Sequence, residues 1–400
     1  MKPDSAIEII QKLRDRKYEA YLVGGCVRDM VMGMEPADYD IATSARPEEI
    51  MQMFPRTEAI GAQFGVVLVI HHGHPYEVAT FRSDEAYVDG RRPTGVVFTD
   101  AKTDVLRRDF TINGLLFDPV GKIVLDYVSG KADIESKIVR AIGEPARRFE
   151  EDKLRILRAI RFGARLGYTI ESETWKAVCA MAPQIHQVSV ERIQDEIVRI
   201  LTEGQAGTGF QMLHDSGLLR EILPEVQWSV HLARCLATLA RGVAADMAMA
   251  VLLHEVEVAD VETIMERLKF SRLETNHTEC LVARIPQFNS VQDMSVAALK
   301  KFFRLPHFEH HLELERICRT ASDADLAHYD FALKKFRGWT PQDIWPTPLI
   351  TGEDLIAMGI PQGPIYKEIL SAAEDEQLEG RLTTRDAAIE FVRNSYGHKA

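Results

Sequence analysis

The stretch from Ala20 to Thr43, AYLVGGCVRDMVMGMEPADYDIAT, constrains the fold more than any other. A short apolar run meets two glycines and then a helical segment, so the chain reads strand, glycine turn, helix. DYDIAT then alternates as a half-buried strand, with Asp38 and Asp40 on one face and Tyr39 and Ile41 on the other. Two carboxylates so close repel each other unless a cation is expected between them. The glycines let the backbone approach a phosphate, and the helix N-terminus behind them offers unpaired N–H groups. Two acids holding Mg²⁺ beside such a cradle suit nucleotidyl transfer, in which metals grip the attacking and leaving oxygens. Each piece also has a plainer reading, since strand–GG–helix turns are common and D-x-D often marks a solvated edge.

The rest of the first 140 residues mixes strand and helix signals. GVVLVI, YEVATF and IVLDYV (123 to 128) are β-rich, the last coming after the turn DPVGK. The opening segment predicts an amphipathic helix, with Ser5 and Glu8 as a capping box and Ala6, Ile9, Ile10 and Leu13 on one face. Gly, Pro and charged residues between Arg82 and Arg107 predict a mobile loop. From about residue 146 the β signal fades. ARRFEEDKLRILRAIRFGARLGY and SVERIQDEIVRILTEG are helical by period, the second capped by Ser189 and ended by Gly204, and most of the chain beyond them is helical too.

Composition narrows the class. A chain of 400 residues holds two to four domains, and it contains no run of 18 or more apolar residues, so a transmembrane helix is not expected. The N-terminal residues do not read as a signal peptide. Five scattered cysteines without a C-x-x-C pair predict reduced, packed thiols in a cytoplasmic protein, in preference to a zinc site or a disulfide frame. The net charge of −12 argues against nonspecific coating of nucleic acid but allows a local basic groove. From Lys137 to Arg165 there are nine Lys or Arg against four acids, with Arg155, Arg158 and Arg165 on one helical side. That arrangement suggests phosphate contact.

Four stretches taken together carry a resemblance. LVGGCVRDMVMGMEPADYDIAT, RRDFTINGLLFDP (107 to 119), EDKLRILRAIRF (151 to 162) and ERIQDEI (191 to 197) resemble, in order and spacing, the class II tRNA nucleotidyltransferase and bacterial poly(A) polymerase family. LITGEDLIAMGIPQGPIYKEIL resembles the C-terminal region of bacterial members. The resemblance implies an α+β fold, with a DNA polymerase β-like head of mixed sheet and helices (1–140). An all-α neck (141–205), a helical body (206–345) and a tRNA-binding tail (346–400) would come after it. Asp38 and Asp40 would hold the catalytic metals, Mg²⁺ being the cofactor. Glu77 in YEVATFR is the candidate third acid, or else an ion-pair partner of Arg82. Gly24, Gly25 and Arg28 would approach the triphosphate. Arg107, Arg108, Asp109 and Asn113 would bind ribose and phosphates, and Asp152 and Arg155, supported by Arg158, would read the base.

The base-reading role has a chemical rationale. Ionised Asp only accepts hydrogen bonds and Arg only donates them. Cytosine and adenine present an amino donor beside a ring-nitrogen acceptor, whereas uracil and guanine present a carbonyl beside a ring N–H. An Asp152–Arg155 edge would therefore suit C and A, each wrong pairing costing roughly 1–3 kcal/mol. The plainer alternative is an i, i+3 surface salt bridge.

The function implied is template-independent addition of CCA to the tRNA 3′ end from CTP and ATP, with no membrane partner. An A-adding enzyme acting on CC-ending tRNA is the nearest alternative. A poly(A) polymerase ranks lower, because GAQFGVV lacks the basic pair such enzymes typically carry there. A non-catalytic RNA-binding protein is disfavoured because Asp38, Asp40 and Asp109 are all present. HHGH (His71, His72, His74) predicts a hairpin tip in preference to a metal site. LLHEVE around His254 and Glu255 reads as core helix, the alternative being a His-Asp phosphohydrolase.

Overall fold

A computed structural model describes residues 2–61, 64–84 and 96–397. The chain divides into two compact units. The first comprises Met1–Trp228, Leu239–Val243 and Arg267–Lys269, and the second the remainder.

The first unit is built on strands β1 (Ala20–Val23), β2 (Asp40–Thr43), β3 (Thr57–Gly61), β4 (Val66–His71), β5 (His74–Thr80), β6 (Arg82–Asp84), β7 (Val96–Phe98), β8 (Leu115–Asp118) and β9 (Ile123–Asp126). Seven of them form one sheet in the order β3-β4-β5-β2-β1-β8-β9. It is mixed: β2 and β5 run parallel, whereas the other neighbours are antiparallel. The mixed-sheet head expected from the sequence is therefore present. Val23, Ala42, Phe81 and Leu116 pack with Ala101 and Val105 into a core beside the centre of the sheet.

Helices α1 (Pro3–Asp15), α2 (Gly25–Val31), α3 (Pro47–Met53) and α4 (Ala101–Leu106) accompany the sheet, with α5 (Gly130–Glu135) after it. The predicted apolar face of α1 is buried, but its capping box does not form. The helix starts earlier, because Pro3 has no N–H to satisfy and fits the first turn. Ser5 is then inside the helix and buried, and Glu8 turns instead to His71 and His72, 2.7 and 2.8 Å away. Those histidines sit at the tip of the β4–β5 hairpin, as expected. Its two turn residues, His72 and Gly73, have positive φ (49° and 79°), as a type I′ turn requires.

Three further expectations are corrected. β2 begins at Asp40, so Asp38 lies just before the strand, exposed, rather than on its face. The loop between Arg82 and Arg107 is ordered at both ends, as the antiparallel β6–β7 ribbon and as α4, capped by Asp100. β-branched Val96 and Val97 and the Asp100 cap outweigh the local polarity; residues 85–95 of that loop lie outside the described residues. Finally, the run from Ala146 to Tyr168 is two helices, α6 (Pro145–Glu151) and α7 (Leu154–Leu166). Asp152 breaks the chain between them with extended backbone, its Oδ1 accepting the Leu154 N–H at 3.1 Å. A short polar side chain that satisfies the next helix's free N–H competes with helix continuation.

Helices α8 (Ser172–Met181) and α9 (Val190–Thr202) complete the neck region. α9 starts after Ser189 and ends before Gly204 (φ +100°), although the Ser189 side chain makes no cap bond. The second unit is helical. An aromatic core of Phe288, Phe302, Phe303 and Phe308 fills one part, and Ile350, Leu355, Ile369, Ala388 and Val392 cluster in the C-terminal part.

Candidate active site

A cavity of about 760 Å³ opens in the first unit, lined by residues from the β1–α2 turn, the approach to β2, the end of α4, the α6–α7 break, α7 and α9. Ten arginines and six carboxylates line it, with no lysine, in a chain that is acidic overall. The basic groove expected from the sequence is thus concentrated in one place. Every predicted site residue except Glu77 lines this cavity.

The glycine turn sits where β1 ends. Gly24 has φ +78°, a conformation that strains any residue with a Cβ, and its carbonyl accepts the Arg28 N–H at 3.2 Å to start α2. Val23 pairs with Asp40 across β1 and β2, so the first acid of β2 stands next to the turn. On the other side, Ile41 aligns with Val78, which sets Glu77 level with Asp40 on β5. Burial raises the Asp40 carboxyl to about 6, and the charges of Asp38 and Glu77 push it the same way, against Arg108. Such an excess of negative charge is of the kind a bound cation would relieve. Asp38 and Asp40 offer hard carboxylate oxygens, and a metal there would complete its shell from phosphate and water. Glu77 is near enough to act on Asp40 electrostatically but is exposed and outside the cavity wall.

A chain of ion pairs holds the opposite wall. Arg28, only 3% exposed, donates to Asp29 Oδ1 from Nε (2.9 Å) and Nη2 (2.6 Å), and to Asn113 Oδ1 from Nη1 (2.9 Å). The Asn113 amide in turn donates to Asp109 Oδ1 at 3.4 Å. Asp109 Oδ2 accepts from Arg158 Nε and Nη2 at 2.9 and 2.5 Å. Arg161 pairs with Glu196 at 2.6 Å, and Arg165 with Glu203 at 3.2 Å. The Phe162 ring lies under three guanidinium groups: Arg28, Arg158 and Arg161, at 5.6, 5.3 and 4.4 Å from its centroid.

Arg107 and Arg108 are aimed by one carboxylate that the sequence reading missed. Asp104, 1% exposed, accepts Arg107 on Oδ1 (2.9 and 2.6 Å) and Arg108 on Oδ2 (3.2 and 2.8 Å). Its signal was present in the sequence, since it stands three and four residues before them on a helix.

Asp152 and Arg155 line the cavity together but are not an ion pair. Asp152 Oδ2 accepts Arg192 Nη2 at 2.7 Å, and Arg155 donates to Glu151 at 2.9 Å and to the carbonyls of Arg148 and Arg107 at 3.0 and 3.1 Å. The expected i, i+3 edge on one helix is replaced by two independently anchored groups, because the chain breaks at Asp152. Arg192 belongs to ERIQDEI, a motif to which the sequence alone gave no role.

Three family models match successive parts of the chain. Residues 20–140 match the poly A polymerase head domain, residues 167–229 the "Probable RNA and SrmB- binding site of polymerase A", and residues 244–392 tRNA nucleotidyltransferase domain 2. A CCA-adding enzyme of Geobacillus sp. (strain WCH70) is 33% identical over 94% of this chain and 93% of its own length. One from Levilactobacillus brevis is 32% identical over 96% of each chain. The crystal structure of the Bacillus stearothermophilus CCA-adding enzyme in complex with CTP superposes with a TM-score of 0.83 at 29% identity, covering 100% of both chains. The chain belongs to the class II tRNA nucleotidyltransferase family, the family of the CCA-adding enzymes.

Proposed function

We propose that the protein adds C and A nucleotides to the 3′ end of tRNA, using CTP and ATP and releasing pyrophosphate, without a nucleic-acid template. The observation that carries this reading is the ten-arginine cavity with two carboxylates at its glycine turn, in a chain whose near-full-length relatives are CCA-adding enzymes. Enzymes of this family use a divalent metal. Mg²⁺ suits Asp38 and Asp40, because it prefers one or two carboxylates plus substrate phosphates. When bound, it supplies Lewis-acid stabilisation to the attacking 3′-oxygen and to the leaving pyrophosphate.

The chain's own residues do the rest. Gly24 and Gly25 leave room for the triphosphate against the start of α2. Arg107 and Arg108, held by Asp104, balance phosphate charge. Arg28, Asn113, Asp109 and Arg158 form a continuous hydrogen-bonded wall against which the ribose can be oriented, since each is fixed before substrate arrives. Asp152 and Arg155 read the base edge, with Arg192 and Glu151 holding them at the required separation. Head (1–140), neck (141–205), body (206–345) and tail (346–400) remain our division of labour, the last two gripping the tRNA by shape and backbone. A cytoplasmic location accords with tRNA processing; among the described residues no helix is long and apolar enough to cross a membrane.

Three labelled tRNA transcripts, ending before CCA, after C and after CC, test the reading. With CTP, ATP and Mg²⁺ all three should extend to CCA and stop. Extension of the CC-ending transcript alone would make this an A-adding enzyme, and long A tails a poly(A) polymerase.

A further inference from the structure

Away from this cavity, in the second unit, lies a cluster that nucleotidyl transfer does not use. His231 and Cys235 stand four residues apart on the helix Val230–Ala237, so both project from one side of it. His254 closes the helix Ala245–Leu253. Their donor atoms all lie within 4.8 Å of one another. Cys235 Sγ is 3.6 Å from His231 Nε2 and 3.9 Å from His254 Nε2. Cys318, on the helix Phe308–Ala321, is the neighbouring thiol to Cys235, though it stands outside the group whose donor atoms lie within 4.8 Å of one another.

The second contacts of these residues decide what the cluster is. His254 donates from Nδ1 to the Val251 carbonyl at 2.8 Å. Ser322 Oγ donates to the Cys318 carbonyl at 3.0 Å and so accepts from His231 Nδ1, 3.2 Å away. Both imidazoles are thereby fixed as tautomers whose Nε2 lone pairs point at one sulfur. Metal-ligating histidines are oriented by such an Nδ1–H contact. The proton count points the same way, because the Cys235 thiol has one proton and faces two lone pairs.

The distances fit a specific geometry. With zinc–sulfur and zinc–nitrogen bonds of about 2.3 and 2.05 Å, a tetrahedral site separates S from N by about 3.6 Å. The two observed separations are 3.6 and 3.9 Å.

We infer that the second unit binds a structural Zn²⁺ through His231 Nε2, Cys235 Sγ and His254 Nε2, with the neighbouring Cys318 thiol turning in as the fourth ligand. Two thiolates and two imidazoles select zinc over the hard cations suited to the carboxylates of the nucleotide cavity. Four protein ligands leave no open position, so the site is structural and not hydrolytic. On binding, the two thiols release their protons to solvent, and no redox change occurs. The metal would tie together three helices, the first and third of which are already joined by Arg234 Nη1 donating to the Ala321 carbonyl at 3.2 Å.

The test uses the full chain, purified under reducing conditions, stripped with a chelator and titrated with Zn²⁺ or Co²⁺. Expected are one equivalent of tightly held zinc by elemental analysis, a higher melting temperature on adding Zn²⁺, and tetrahedral cobalt absorption with thiolate charge transfer. Cys235→Ser and Cys318→Ser should lose the charge-transfer band in proportion to the missing sulfur, whereas Cys179→Ser should keep it. Ser322→Ala, which removes only the support of His231, should weaken binding roughly ten- to a hundredfold. Glu255, whose Oε1 lies 4.0 Å from His231 Nε2, is the competing fourth donor. If Glu255→Gln abolishes the stoichiometric site and Cys318→Ser does not, the assignment of Cys318 is wrong. No zinc retained and no cobalt spectrum in the folded, reduced wild type would overturn the site altogether, as would a Cys235–Cys318 disulfide in protein isolated without reductant.

Discussion

Arg158 places both Nε and Nη2 on a single oxygen of Asp109, at 2.9 and 2.5 Å, joining α7 to the segment after α4. Burial alone would raise the Asp109 carboxyl, but the Arg158 charge and its hydrogen bonds outweigh it and bring the value down to about 2. A carboxylate lowered in the folded state stabilises the fold above its ordinary value of 3.8, and that stability is lost as pH falls toward 2. Acid unfolding followed by circular dichroism should therefore move to higher pH in Asp109→Asn. The same substitution should cost about 2–3 kcal/mol at pH 7, because it leaves a largely buried arginine without its counter-charge. An acid midpoint identical to wild type would show that the pair carries none of this stability.

Asp104 is the only carboxylate that contacts both Arg107 and Arg108 among the described residues. Asp104→Asn keeps the shape but removes the charge and half of the acceptor capacity, so two guanidiniums lose their fixed direction. Hydrogen bonds to charged groups contribute about 1.5–3 kcal/mol, so KM for CTP and ATP should rise roughly ten- to a hundredfold. The turnover number should change less, since the substitution leaves Asp38 and Asp40 untouched. A fall in turnover with KM unchanged would remove Asp104 from nucleotide positioning.

Asp40 works in the opposite electrostatic sense. Its carboxyl is raised to about 6 by burial, with the charges of Asp38 and Glu77 adding to it. A carboxylate raised in the folded state favours the fold at low pH, and that contribution is lost as pH rises through 6. The metal-free protein thus holds an unfavourable charge at pH 7.5 that a bound Mg²⁺ would relieve. Scanning calorimetry should show Mg²⁺ raising the melting temperature at pH 7.5 and far less at pH 5. Asp40→Asn should melt higher than wild type without Mg²⁺, ignore added Mg²⁺, and lose turnover by three or more orders of magnitude. Equal Mg²⁺ stabilisation of wild type and variant would place the metal elsewhere.

Much of this was legible in the sequence because it is local. Strand–GG–helix, the HHGH hairpin and the apolar face of the first helix are set by residues within a few positions of each other, and each formed. The predicted site residues other than Glu77 also converge on one cavity. What the sequence hid was pairing across distance. Arg192 meets Asp152 across 40 positions and Arg158 meets Asp109 across 49, and no periodicity encodes such contacts. With Ser5 drawn inside the helix by the earlier start at Pro3, Glu8 likewise turned to partners 63 and 64 residues away. The helix break at Asp152 was invisible because its flanks are both helical in period, while the decisive bond, from the Leu154 N–H to the Asp152 side chain, appears only in three dimensions.

If Asp152 and Arg155 read the base as proposed, that break matters for base choice. Freed from the helix, Asp152 takes its direction from Arg192, 2.7 Å from Oδ2, while Arg155 is held by Glu151 and two carbonyls. Each Asp152 oxygen keeps a lone pair for the amino group of cytosine or adenine. If the acceptor and donor are positioned separately, selectivity depends on both anchors, and removing one should degrade discrimination more than rate. Arg192→Ala should lower the preference for CTP over UTP, expressed as the ratio of kcat/KM on a tRNA ending before CCA, by roughly ten- to a hundredfold. This corresponds to about one mismatched hydrogen bond. Glu151→Gln should act on the same ratio through Arg155. A uniform loss of kcat/KM for both nucleotides, with the ratio intact, would mean that Arg192 only supports the fold and that Asp152 is not reading the base.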